Sequence, residues 1–132
     1  MADGRIARGT DIASGQNDTG STISAQRVVM KDATVTEGIK LPTGITVACL
    51  GVTLNDIENN FYGGVQRAGR ALCTAAAAIT AGAELMTDTA GKVLTLSVGA
   101  GSNVFFIGTA VGAAAADGDD IYVDLDLGFK QG

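Results

Sequence analysis

The segment IYVDLDL, residues 121–127, alternates without a break, with Ile121, Val123, Leu125 and Leu127 on one parity and Tyr122, Asp124 and Asp126 on the other. Successive side chains of a strand point to opposite faces, so this pattern predicts an extended strand with one face buried and one face in water. Much of the chain before it carries the same texture. RVVMKDATV, from Arg27, is apolar and β-branched, and TEGIKLPTGITVACLGVTL follows with a turn marked by Pro42 and Gly44. NDIENNFYGG, residues 55–64, reads as a polar loop closed by paired glycines, after which VQRAGRALCT resumes strand character. TDTAGKVLTLSV places a turn at Thr89 to Gly91 between two further strands. Strands at intervals of about 8–12 residues, separated by glycine turns, predict an all-β domain built as a small β-barrel or β-sandwich.

Helix has little room in this chain. The run Ala75 to Ala78 has the highest helix propensity, but Gly69 and Gly82 bound it. At most one short helical turn over residues 75–81 fits there. The same phrase occurs twice. GRALCTAAAAITAGAELMTD at 69–88 is echoed by GTAVGAAAADGDDIYVD at 108–124. Gly69 aligns with Gly108, Ala71 with Ala110, Leu72 with Val111, Gly82 with Gly118, and Leu85 with Ile121. The unit reads as strand, alanine corner, glycine turn, strand. Alanines let one chain pass closely over another, and glycine supplies a turn at positive φ.

Residues 1–26 differ in kind, being rich in Gly, Ser, Thr, Asp and Asn with only Ile6, Ile12 and Ile23 as large apolar side chains. Such a segment cannot build a core of its own. It is expected to be an extended N-terminal arm, with residues 27–132 forming a single β domain. Within the arm, Ile6 and Ile12 are candidate apolar anchors and Arg5 and Arg8 candidate charge partners for a docking surface.

Charge and composition exclude several functions. The net charge is −5, and between Glu84 and Asp126 seven acids face the single Lys92. With no basic cluster to neutralise phosphates, a nucleic-acid partner is not expected. The 24 uncharged residues between Lys92 and Asp117 are long enough to cross a bilayer as a helix. However, Leu94, Leu96 and Val98 alternate with Thr95 and Ser97, and GAGSN interrupts the run. Two strands joined by a turn account for it better than a span, so no membrane partner is expected. Cys49 and Cys73 sit in apolar, strand-like runs and read as buried free thiols, with a disulfide left open.

Catalytic constellations are missing from the sequence. The chain contains no histidine, so a serine or cysteine nucleophile has no usual base and transition metals lose their commonest ligand. DGDD at 117–120 offers carboxylates for a hard cation but lacks the spacing of an EF-hand loop, and reads as an acidic hairpin corner. Asp124 and Asp126 lie on one strand face and need a cleft to act as a carboxylate pair. The chain is expected not to be an enzyme and to need no metal or other cofactor.

The order of these features resembles the capsid cement, or head decoration, proteins of tailed bacteriophages. The elements that carry the resemblance are Gly51-Val52, VQRAG at 65–69, AITAGAEL at 78–85, TDTAGKV at 87–93, IGTAVGAAAADGD at 107–119 and the closing IYVDL. The resemblance spans roughly residues 27–127 and does not clearly extend over the arm. It implies a compact, typically trimeric β domain on the outside of the phage head. There it would bind the major capsid protein at junctions between capsomers and stabilise the shell. Assembly in the bacterial cytoplasm suits free thiols, and an arm that orders on docking suits the polar N-terminus. The competing expectation is a cell-surface or secreted binding module of adhesin type, which a signal peptide or exposed aromatic side chains would favour.

Overall fold

The computed structural model describes residues 11–97 and 103–131. Among them nine strands form one continuous sheet in the order β1-β3-β2-β4-β5-β9-β8-β6-β7, with no helix. The strands are β1 (Asp11–Asn17), β2 (Val28–Asp32), β3 (Gly38–Lys40), β4 (Gly51–Thr53), β5 (Tyr62–Thr74), β6 (Glu84–Thr87), β7 (Val93–Thr95), β8 (Asn103–Ala110) and β9 (Asp120–Gln131). All neighbours are antiparallel except β1 and β3. Because β1 also pairs with β5, the first five strands close into a barrel, and the long β5 continues past it as the first strand of a second, curled layer.

Two cores fill this frame. Ile23, Val29, Ile39, Ile57 and Val65 occupy the barrel. A larger cluster, including Ala71, Cys73, Leu85, Phe105, Ile107, Ile121 and Val123, lies under the second layer and takes in Val28 and Val52 from the barrel wall. The alternation expected from residues 121–127 is present, with Ile121 and Val123 buried while Tyr122, Asp124 and Asp126 face water.

The repeated phrase has a structural counterpart. Its two opening segments flank the same strand, since Gly69 and Gly108 both lie opposite Leu125, and Ala71 and Ala110 both lie opposite Val123. Leu72 lies opposite Tyr122, whose carbonyl accepts from Val111 N at 2.9 Å. The two alanine corners then bond to each other. Ala75 N donates to Asp119 O at 2.7 Å, Gly118 N donates to Ala75 O at 2.8 Å, and Ile79 and Ala114 exchange both bonds at 2.9 Å. Gly82 and Gly118, which close the corners, have φ of +88° and +96°, a region that side chains rarely adopt.

Within the limit of at most one short helical turn, the alanine run forms none, because Ala75 N and Ala76 N are taken by Asp119 O and Val93 O from distant parts of the chain. Two other local expectations change. ITVACL, although strand-like, is irregular up to Leu50. Its backbone meets single partners rather than a ladder, with Leu50 N donating to Val29 O and Ile45 O accepting from Phe105 N. The polar N-terminal stretch, from residue 11 onward, is part of the sheet: β1 runs along β5 from Ala68 to Tyr62, and Ile23 is buried opposite Ile57. No helix of the described residues is long and apolar enough to cross a membrane.

Candidate functional site

What the sequence cannot supply to β1 as apolar surface, one asparagine supplies as hydrogen bonds. Asn17 is fully buried at the end of the strand. Its Nδ2 donates to Ser21 O and to Ile57 O, both at 2.7 Å, while its Oδ1 accepts from Thr19 N at 3.0 Å and Thr19 Oγ1 at 2.7 Å. All four hydrogen-bonding positions of the amide, two donors and two acceptor lone pairs, have partners, so the buried polar group is satisfied and holds the segment in register. Glycines then let β1 lie flat on its neighbours. A Cβ on Gly15 would meet Ile39 Cγ2 at 2.7 Å, and one on Gly63, opposite Gly15, would collide with Ile57.

Four large apolar side chains of this region are exposed. Ile12 on β1, Leu54 after β4, and Phe61 and Tyr62 at the start of β5 are 55%, 46%, 61% and 55% exposed. Gly64 lies between the first two, since a Cβ built on it would approach Leu54 Cδ1 at 3.1 Å and Ile12 Cγ2 at 3.6 Å. The absence of a side chain at Gly64 brings Ile12 and Leu54 together over bare backbone. Exposed large apolar groups gathered in this way mark an interaction surface more readily than the same groups scattered singly.

Of the residues singled out in the arm, Ile12 is on this surface, and Arg5, Ile6 and Arg8 lie outside the described residues. Leu54, Phe61 and Tyr62 escaped the sequence reading because they flank or end a stretch whose other members are polar. The signal available was the aromatic pair Phe61-Tyr62 directly before two glycines.

The acidic segments do other work. Asp119 Oδ2 accepts from Ala115 N at 2.8 Å and Ala116 N at 3.2 Å, and Asp117 pairs with Lys92 Nζ at 2.9 Å, so DGDD builds the second alanine corner. Among the described residues no three acidic or cysteine side chains are placed to share a metal ion. Asp124 faces Arg70 across the β5–β9 pair, Nε to Oδ1 at 2.9 Å, rather than Asp126. The Arg70 hydrogen bond holds the Asp124 carboxyl below its ordinary value of 3.8. Cys49 and Cys73 are free and buried, and burial pushes each thiol up to about 12.

Residues 6–125 match the family model described as phage cement protein. The chain belongs to that family. It is therefore a capsid-associated structural protein of the virion. The match begins within the polar N-terminal segment, before β1. Among solved structures, the chain is similar to the N base of head fiber gp8.5 of bacteriophage phi29, with a TM-score of 0.66 at 16% identity over 89% of this chain and 94% of that one. At that identity the likeness concerns the fold. No curated protein matches the sequence at a significant level.

Proposed function

We propose that this family member binds the outer surface of the phage head at junctions between capsomers, contacts the major capsid protein there, and stabilises the shell as a homotrimer assembled in the host cytoplasm. The role is one of binding and shape, with no reaction and no cofactor. The observation that carries it is the exposed pair Ile12 and Leu54 beside Gly64, held on the barrel by the β1–β5 pairing, with Phe61 and Tyr62 exposed at the start of β5. A protein that clamps a shell needs a rigid face with apolar anchors, and burial of such groups supplies association energy at about 25 cal/mol per Å² before the costs of docking are subtracted. The residues that precede β1, among them Arg5, Ile6 and Arg8, are proposed to extend this contact, with the arginines meeting acidic groups of the capsid. Three copies of such a contact on one trimer act together, so that individually weak docking becomes firm.

Co-sedimentation with phage heads that lack the protein tests this reading. Binding to expanded heads and not to unexpanded ones is expected, because the junction geometry differs between them. A failure to bind either form would overturn it. Deleting residues 2–10 leaves β1 intact and is expected to lower occupancy, and Ile12→Asp to lower it further. Unchanged occupancy for both variants would remove the N-terminal contact from the proposal.

A further inference from the structure

The last strand outruns its neighbour. β9 pairs with β5 only from Asp120 to Leu125, whereas its pairing with β8 continues to Gln131. Along Asp126 to Lys130 the side of β9 away from β8 therefore has no strand beside it among the described residues. The direction of the backbone groups there follows from two bonds. Tyr122 O accepts from Val111 N, which directs the even-numbered residues of β9 toward β8 as far as the register shift opposite Phe106 to Gly108; beyond that shift the direction is read from Phe105. Phe105 N donates away from β9 to Ile45 O, which makes Phe105 and Phe129 a non-hydrogen-bonded pair with their rings 5.0 Å apart, edge to face. The N–H and C=O groups of Phe129 thus point to the open side, and the two-residue repeat of the strand turns those of Leu127 the same way. Phe129 is also 57% exposed, although it lies on the same parity as the buried Ile121 and Val123. An uncovered edge of this kind is a template for another strand.

We propose that this edge pairs antiparallel with the same edge of a second copy of the chain, about a two-fold axis at Gly128. The choice of partner rests on self-complementarity. An isologous contact places residue i opposite j and j opposite i. With the axis at Gly128, Leu127 lies opposite Phe129 of the second copy and Phe129 opposite its Leu127. Both are positions whose amides face outward, so each pair exchanges two backbone hydrogen bonds. The next positions on either side are Asp126 and Lys130, so the same register sets an acid opposite a base twice. Opposite charges directly across an antiparallel pair stabilise it, and like charges oppose it. Gly128 falls opposite itself, and a Cβ built there meets nothing within 4 Å. The contact involves neither the apolar surface around Ile12 nor the capsid, so it can join neighbouring oligomers and is testable in purified protein.

Gly128→Cys in the full chain tests the register. Non-hydrogen-bonded residues of an antiparallel pair have Cα atoms about 4.5 Å apart, within the range of about 4.4–6.8 Å that a disulfide spans. Mild oxidation is expected to convert most of the folded variant to disulfide-linked pairs, while the parent chain, with Cys49 and Cys73 buried, gives none. Charge exchange supplies a second measurement without oxidation. Asp126→Lys and Lys130→Asp, each alone, set like charges opposite one another and are expected to weaken pairing at least about tenfold in sedimentation equilibrium. The double variant is expected to restore it. Absence of cross-linked pairs in folded Gly128→Cys, or a double variant no better than the singles, would overturn the proposal. So would cross-linking that appears only after residues 2–10 are deleted, since the edge would then belong to the chain's own N-terminal segment.

Discussion

The barrel and the curled layer that follows it are parts of one sheet, yet they are held by different means. The barrel encloses five buried apolar side chains, Ile23, Val29, Ile39, Ile57 and Val65. The outer layer shares a cluster of fifteen. The barrel makes up the difference with polar contacts: Asn17, Asp32, Thr53 and Gln66 are all buried in or beside it, and each makes hydrogen bonds to backbone. Thr53 Oγ1, for example, donates to Ser24 O at 2.8 Å. A barrel with so narrow an interior has space for few side chains, so satisfied polar groups must fix its strands in place. The outer layer needs fewer such devices, because its alanine corners bond to each other and its apolar face is broad.

Ile107→Ala removes a fully buried side chain from the larger cluster and is expected to cost about 2–5 kcal/mol of global stability, read by denaturant unfolding. Asn17→Ala removes one of the two donors to each of Ser21 O and Ile57 O and the acceptor of Thr19 N, and is expected to cost about 1–3 kcal/mol. The two differ in reach as well as size. Hydrogen exchange is expected to show the amides of β1 opening in Asn17→Ala while those of β8 and β9 stay protected. Equal loss of protection in both layers would mean that the barrel and the outer layer are one cooperative unit, contrary to the contrast drawn above.

The two buried thiols make the larger cluster sensitive to alkali. Cys73 belongs to β5 and Cys49 to the loop before β4, and both pack in the larger cluster. Their folded values are raised from 9.0 to about 12, so the unfolded chain loses these protons first as pH rises. The stability involved is fully present below 9 and declines between 9 and about 12. Denaturation midpoints are expected to fall across that window, and less so in Cys49→Ala/Cys73→Ala. A thiol reagent at neutral pH is expected to leave both groups unmodified until the protein unfolds.

The smallest effect belongs to the outer face. Asp124 is held below 3.8 by Arg70, so the pair contributes above that value and its contribution is lost as pH falls through the lower, folded value. Both side chains are more than half exposed. Arg70→Ala is therefore expected to leave the midpoint at neutral pH nearly unchanged and to flatten slightly its dependence on acid.

Legibility of the fold in the sequence followed the range of the interactions involved. The alternation at Ile121–Leu127 and the turn at Thr89–Gly91 depend on neighbours in the chain, and both are present, the turn with Asp88 Oδ1 accepting from Ala90 N and Lys92 N at 2.9 Å. The doubled alanine phrase was legible as a recurring corner, but not the bonding of one corner to the other. Of the candidate site, Ile12 was legible and Leu54, Phe61 and Tyr62 were not. Their exposure is set by which strands cover them, and a local pattern of two aromatics before two glycines does not encode that.

What the amino-acid order determined alone is the local grammar: strands of alternating parity, turns where glycine permits positive φ, small residues where backbones cross, and no histidine with which to build common catalytic sites. What only the tertiary structure decided is where the polar N-terminal stretch goes and which edge remains open. Asn17 belongs to a polar segment, and it becomes a buried clamp because Ile57 O, forty residues away, accepts from its amide as well as from Ile23 N. Leu127 reads as the end of a strand with one face buried, and with Phe129 it becomes an open edge because β5 pairs with β9 no further than Gly69. In both cases the deciding partner is remote in sequence, and the free energy of a hydrogen bond or a buried side chain depends on that partner being present.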